Sequence, residues 1–263
     1  MTIKLYMFSG SNAVLTAQQM LEHKGIRDYK RVNMPPGVHA IIMLARGFET
    51  MTVPALTVDG RRIQGTRNIS QFLDDLVPEP PLFPHEPGRR RAVEEAERWG
   101  EELQDATRRV FYCLARRDRR AFASFMTAGR SWPMRLVLRW ASPAIVRLAS
   151  AYHRATEAAG RADLADLPAR LHQIDAWIDA GLLNGPELNA ADFQIGVNLS
   201  AMLRSDDAAR FVEGRPAEAL ARRVAPDYPG HIGAIAPVEW LEPLEATTGK
   251  QAKVASTGTN AAF

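Results

Sequence analysis

Three short stretches place hydroxyls or backbone groups where they can hold an anion. Ser9, Ser11 and Asn12 follow the apolar run IKLYMF (residues 3–8) and stand where a helical pattern begins. A helix N-terminus carries unpaired N–H groups and partial positive charge, so it stabilises an anion. A serine hydroxyl there can donate a further hydrogen bond to that anion. Ser11 would also make a good helix cap with no ligand at all, and Ser9 is its neighbouring competitor. The second stretch is Val53-Pro54, inside TVPALTV. An X-Pro bond adopts the cis form at modest cost, and a trans proline opening an edge strand is the alternative. The third is Gln64-Gly65-Thr66-Arg67, where Thr66 can cap a helix and offer its hydroxyl and backbone N–H to a carboxylate.

Other reactive residue types read more plainly. Tyr6 lies inside the first apolar run and reads as core. Cys113 is the single cysteine, so an internal disulfide, a CxxC redox pair and a cysteine-rich zinc site are excluded. It falls well inside a long helical pattern and reads as a buried structural thiol. The six histidines are scattered without the paired spacing of a metal site, so no metal is expected. His39, in MPPGVH, reads as a lone exposed histidine with no specific role. No glycine-rich phosphate loop occurs, so no tightly bound cofactor is expected.

These groups need elements to position them. Residues 3–8 predict a strand, 13–24 a helix stopped by Gly25, and 28–33 a second strand, which makes a right-handed β-α-β crossover. A short helix is expected over 38–46 and a strand over 52–58. The Asp59-Gly60 turn then leads into a strand over 61–64 and a helix over 66–77, with Ile69, Phe72, Leu73 and Leu76 on one face. That order gives an α/β domain with a four-stranded mixed sheet, residues 1–80. A proline-rich linker follows (81–87), then an all-helical domain (88–245) and a disordered tail (246–263). Within the helical part, helices are expected over 91–114, over 133–152 with a bend at Pro143, over 164–183, and from 189 to about 204. Asn189 would cap the last of these, and Asp192 would bond back to the cap.

Composition agrees with a globular protein: 263 residues, 46% hydrophobic and 24% charged, with a net charge of +3. That charge gives no general case for nucleic acid. Arginines crowd residues 88–139 and read as solvated helix faces. No secretory signal is read at the start, and the most apolar stretch, 134–149, is broken by Arg135, Arg139 and Arg147. A cytoplasmic location without membrane contact is therefore expected. The arginine-tryptophan segment 132–140 reads as a packed core helix rather than a membrane-surface one.

LYMFSGSN, TVPAL followed by DG, QGTRNISQFLDD and NAADF together resemble the cytosolic glutathione transferases, and the resemblance spans nearly the whole chain. It implies a thioredoxin-like N-terminal domain, an all-helical C-terminal domain and a homodimer. It implies a cis Val53-Pro54 whose backbone pairs with the cysteinyl part of glutathione, Ser11 as the thiolate-stabilising hydroxyl, and Thr66 gripping the γ-glutamyl end, with Ser9, Asn12, Gln64 and Gly65 around them. An electrophile would sit against Asp105, Arg108, Arg109 and Tyr112. One departure stands out: Gly65 occupies the place of the family's usual acid, leaving Gln64 as only a neutral acceptor. The expected activity is transfer of a small thiol, glutathione or another of low molecular weight, to an apolar electrophile. The alternative is a non-catalytic binding or interaction module on the same fold.

Overall fold

A computed structural model describes residues 1–35, 37–118 and 132–244. β1 (Ile3–Met7) leads into α1 (Asn12–His23), β2 (Lys30–Asn33), α2 (Val38–Ala45), β3 (Ala55–Val58), β4 (Arg61–Gln64) and α3 (Thr66–Leu76). The sheet order is β2-β1-β3-β4, with β1 parallel to β2 and antiparallel to β3, and β3 antiparallel to β4. This is the expected four-stranded mixed sheet. Strand alternation sorts its two faces. Ile3, Leu5 and Leu56 join Met20 and Leu21 of α1 and Ile69 and Leu73 of α3 in the buried core. Tyr6 points the other way and meets Phe48, which follows α2, edge to face at 5.1 Å.

Local chemistry fixes the ends. α1 stops where Gly25 takes φ 69°, a left-handed conformation that glycine adopts without a Cβ penalty. The β3–β4 turn has positive φ at both Asp59 and Gly60, matching the right-handed twist of the strands it joins. Lys24, fully buried, closes the far side of the domain. Its ammonium donates to Asp74 at 2.8 Å and to the carbonyls of Pro78 and Pro80. A buried cation surrounded in this way has its desolvation offset by a carboxylate and two carbonyls.

The helical part includes α4 (Pro87–Arg117), α5 (Trp132–Tyr152), α6 (Glu157–Ala165), α7 (Leu167–Asp179), α8 (Ala190–Leu203), α9 (Ala209–Val212) and α10 (Pro216–Val224), with residues 238–244 also helical. α4 extends the expected 91–114 helix at both ends. The single helix expected over 164–183 is in fact two, broken at Asp166, because Pro168 belongs in a first helical turn and starts α7 afresh. α6, α9 and α10 were not read from the sequence, although in α10 the buried Ala217, Leu220, Ala221 and Val224 recur at helical spacing. Pro143 lies inside α5 as expected. The expectation that 132–140 is a packed core helix fails: Trp132 and Trp140 are 74% and 80% exposed, and Leu136 is also exposed. Arg139 is exposed on the same stretch. Among the described residues, no helix is long and apolar enough to cross a membrane. The tail expected to be disordered lies outside the described residues.

By backbone proximity the chain forms two compact units. The first comprises Met1–Gln104, Trp177–Ala201 and Pro216–Gly230. The second comprises Asp105–Ala176, Met202–Arg215 and His231–Phe263.

Candidate functional site

The first compact unit carries the three stretches singled out in the sequence. Ser11 is the N-cap of α1, with extended backbone (φ −89°, ψ 120°) and its Oγ accepting from the Val14 N–H at 3.4 Å. That bond uses an acceptor lone pair, so the hydroxyl proton remains available to a further acceptor. Asn12 behaves differently. Its Oδ1 accepts the Tyr228 hydroxyl and its Nδ2 donates to Asn198 Oδ1 at 3.2 Å. Both ends of the amide are held by protein groups, so Asn12 anchors the helix start. Ser9 Oγ accepts from Asn33 Nδ2 at 3.1 Å, linking the ends of β1 and β2.

Tyr228 is almost wholly buried, and desolvation pushes its phenol pKa up to about 12. It is therefore a neutral donor. The chain of amides continues inward: Asn198 Nδ2 donates to the Gln194 carbonyl, and Gln194 Nε2 donates to Gln104 Oε1. Buried polar groups must find partners, so this ladder fixes α1 against α8.

Val53-Pro54 is cis. The register pairs Tyr6 with Ala55, which sets Val53 beyond the same end of the sheet as Ser11. Among the described residues the Val53 N–H and C=O have no hydrogen-bond partner, although the residue is largely buried. An unpaired backbone pair at a strand entrance is a template for an added strand-like segment.

Gln64 staples this loop. Its Nε2 donates to the Thr50 and Thr52 carbonyls at 2.9 and 2.8 Å, and its Oε1 accepts from the Thr50 N–H. Gly65 N–H donates to the Pro54 carbonyl at 3.0 Å, tying the start of α3 to the cis-proline. The sequence expectation that Thr66 caps α3 is corrected here. Gly65 is the N-cap, with φ 89° and ψ 150°, and no side chain caps the helix. Only glycine adopts that backbone freely, which gives a conformational reason for its presence. Thr66 is the first helical residue, and its hydroxyl donates to Glu101 Oε1 at 3.1 Å. Its backbone N–H has no partner among the described residues, so the uncapped α3 N-terminus offers amides rather than the hydroxyl.

Behind α3 lies an acid that sequence reasoning missed. Glu97 is fully buried, accepts the Ser70 hydroxyl at 2.6 Å and is 3.9 Å from Arg67. Desolvation, opposed by that hydroxyl and by Arg67, pushes its pKa up to about 7. The only available signal was its place on the apolar side of α4, beside Val93 and Ala96.

The electrophile-pocket candidates fall in the second unit. Arg109 makes a two-point ion pair with Asp163 at 2.6 and 2.8 Å, and Arg108 pairs with Asp105 at 2.6 Å. Tyr112 stacks on His153, with ring centroids 5.6 Å apart. Burial, reinforced by Arg108, lowers the His153 pKa to about 4. Cys113 is buried, and burial raises its thiol pKa. His39 is not the lone exposed residue expected. Its ring meets Phe8 at 4.8 Å, its Nδ1 accepts the Gly37 N–H, and burial lowers its pKa. Among the described residues no group of histidine, cysteine or acidic side chains is placed to hold a metal.

Residues 5–81 match the family described as glutathione S-transferase, N-terminal domain. No curated protein matches the chain. Among solved structures, the β-etherase LigF from Sphingobium is similar with a TM-score of 0.64 and 17% identity, over 86% of this chain and 95% of that one. A glutathione S-transferase from Rhodospirillum rubrum gives 0.55 and 22%, over 92% and 99%. A glutathione S-transferase from Methylobacterium radiotolerans, in complex with glutathione sulfonate, gives 0.50 and 19%, over 90% and 99%. Residues 5–81 are thus a domain of the glutathione S-transferase N-terminal type, and the chain shares the fold of these solved structures.

Proposed function

We propose that the protein is a glutathione-transferase-like enzyme that binds glutathione, or a small thiol of the same build, at the sheet end bounded by Ser11, Val53 and Thr66. The observation that carries this reading is the unpaired Val53 N–H and C=O beside the cis-proline. Such an edge accepts a peptide-like thiol in extended form. The α1 N-terminus and the Ser11 hydroxyl then stabilise the thiolate, and the thiolate attacks an electrophilic carbon. The leaving group departs with the bonding electron pair, and the thiol proton passes to solvent. The uncapped α3 N-terminus holds the thiol's carboxylate through the backbone amides of Thr66 and Arg67. A cytoplasmic location and a homodimer belong to the same proposal, as does an electrophile-binding role for Asp105, Arg108, Arg109 and Tyr112. The binding of glutathione sulfonate by the Methylobacterium relative supports glutathione as the co-substrate.

A second reading, a binding module without turnover, draws support from Gln64. Its amide is engaged with Thr50 and Thr52, so no acceptor is dedicated to a ligand ammonium.

Isothermal titration with glutathione tests the main reading. Thr66→Val keeps the backbone N–H and should bind within about twofold of the parent. Thr66→Pro deletes that N–H at a helix position that suits proline, and should weaken binding by about five- to tenfold. No binding to the folded parent overturns glutathione as the ligand. Binding without conjugation of any electrophile favours the second reading.

A further inference from the structure

The face of the sheet away from α1 and α3 carries an unusual row of charges. The register aligns Lys30 of β2 with Lys4 of β1, Lys4 with Thr57 of β3, and Thr57 with Arg62 of β4. Directly paired residues point to the same face. Three cations therefore share one row across four strands. Like charges on adjacent strands destabilise a sheet, and here no acid is interleaved.

Above this row lies a cleft of about 230 Å³, lined in part by Lys4, Tyr6, Arg46, Thr57, Asp59 and Arg62. Arg46, which ends α2, lies over the Tyr6 ring with its guanidinium 5.8 Å from the centroid, and its Nη1 is 3.4 Å from the Tyr6 hydroxyl. Arg62 is held in place from behind: its Nε donates to the Arg46 carbonyl at 2.9 Å, and its guanidinium packs on Gly47. The terminal N–H groups of Arg62 are left for another acceptor. Asp59, the acid in the lining, has its Oδ1 engaged by the Thr2 N–H at 2.7 Å. Among the described residues, none of Lys4, Lys30, Arg46 and Arg62 has a carboxylate within ion-pair distance.

We propose that this cleft is a binding site for a compact phosphoryl anion, gripped by Lys4, Arg46 and Arg62 with the Thr57 hydroxyl as a further donor. Two guanidinium groups suit the geometry of phosphate oxygens, and the Lys4 ammonium in the same lining supplies a point charge. The anion neutralises a row of cations that the fold otherwise leaves unscreened. The site is separate from the thiol site. The cleft reaches the Asp59-Gly60 hairpin, whereas Ser11 and Val53 lie beyond the opposite ends of β1 and β3. It does not depend on the proposed transferase activity.

The test is isothermal titration of the full chain with pyrophosphate at low ionic strength, beside a thermal melt. The parent should bind one equivalent with a dissociation constant below about 1 mM. Lys4→Gln and Arg46→Gln should each weaken that binding by about tenfold or more, while Arg91→Gln, on the exposed side of α4, and Ser11→Ala should leave it unchanged. Without ligand, Lys4→Gln should melt no lower than the parent, because it removes like-charge repulsion. Pyrophosphate should raise the melting temperature of the parent and not of the variant. Titration with AMP separates the two sources of phosphoryl group: binding shared by both probes means a general phosphoryl site, and binding of pyrophosphate alone means a small inorganic anion. Absence of saturable binding by the parent overturns the proposal. So does a Lys4→Gln variant that binds like the parent. If Lys4→Gln does not fold, the exposed Lys30→Gln carries the same comparison, with about a threefold loss expected.

Discussion

The Tyr228 hydroxyl donates to the side-chain carbonyl of Asn12, so a residue far along the chain fixes the first turn of the helix that Ser11 caps. The phenol is buried and neutral, and Asn12 has a second partner in Asn198. Tyr228→Phe leaves the Asn12 oxygen without its buried donor. It should cost about 1–2 kcal/mol in chemical denaturation. Thiol binding should weaken in parallel, because the α1 N-terminus loses its anchor.

Ser11 has a structural role whatever its chemistry. Removing a serine cap costs about 1 kcal/mol, so Ser11→Ala should lower stability by that amount. If the hydroxyl also donates to a thiolate, conjugation should fall by tenfold or more and its pH profile should move to higher pH, as the bound thiol titrates later. Ser11→Thr, which keeps cap and donor, should restore both. A stability loss with an unchanged pH profile would mean that Ser11 only caps.

Glu97 makes stability depend on pH. Its folded pKa, about 7, is above its ordinary value of 4.5, so between those limits the native state holds more protons than the unfolded one. Stability should therefore be greatest below about pH 4.5 as far as this group is concerned, and fall as pH rises towards 7. Glu97→Gln removes the titration and can still accept from Ser70. Relative to the parent, the variant should gain on the order of 2 kcal/mol between pH 4.5 and pH 8. Denaturation curves at the two pH values give the difference directly.

Gly65 should not tolerate a side chain. No atom crowds the position, but its φ of 89° with ψ 150° is strained for any L-residue. Gly65→Ala should destabilise by about 1–3 kcal/mol, and Gly65→Glu should do no better. Chemical denaturation of both variants decides it.

The α4–α6 crossing depends on a second glycine. A Cβ on Gly160 would stand 3.0 Å from Cys113 Cβ and 3.2 Å from its sulfur. Gly160→Ala should cost about 1–3 kcal/mol, and Cys113→Ala in the same chain should recover part of it by removing the sulfur. The parent thiol should react slowly with alkylating reagents, since it is buried and its pKa is raised.

Much of the first domain was legible because its signals are local. The Asp59-Gly60 turn, Gly25 as a helix stop, and Asn189 with Asp192 as a capping box each depend on residues within four positions of one another. In that box the Asn189 side chain accepts the Ala191 and Asp192 N–H groups, and Asp192 returns a bond to the Asn189 N–H. Thr66 was misread because its type suits a cap, whereas the backbone at Gly65 decides the helix start and Glu101, thirty-five positions away, claims the hydroxyl. Asn12 was grouped with ligand-binding residues for the same reason, since its partners at 198 and 228 leave no mark near position 12. The three-cation row was invisible until strand register placed Lys30, Lys4 and Arg62 in one line, with Thr57 between the last two.

The first compact unit draws on three separate chain segments, joined by the polar links from Asn12 to Asn198 and Tyr228, while the Ser70–Glu97 bond spans the proline-rich stretch within the first segment. The proline-rich stretch after α3 is thus a boundary in composition but not a seam along which the molecule could be cut. A fragment ending there would strand Asn12 and Ser70 without their partners. Exchange of this thioredoxin-like half between relatives, by recombination or in the laboratory, would have to carry α8 and the segment around Tyr228 along with it.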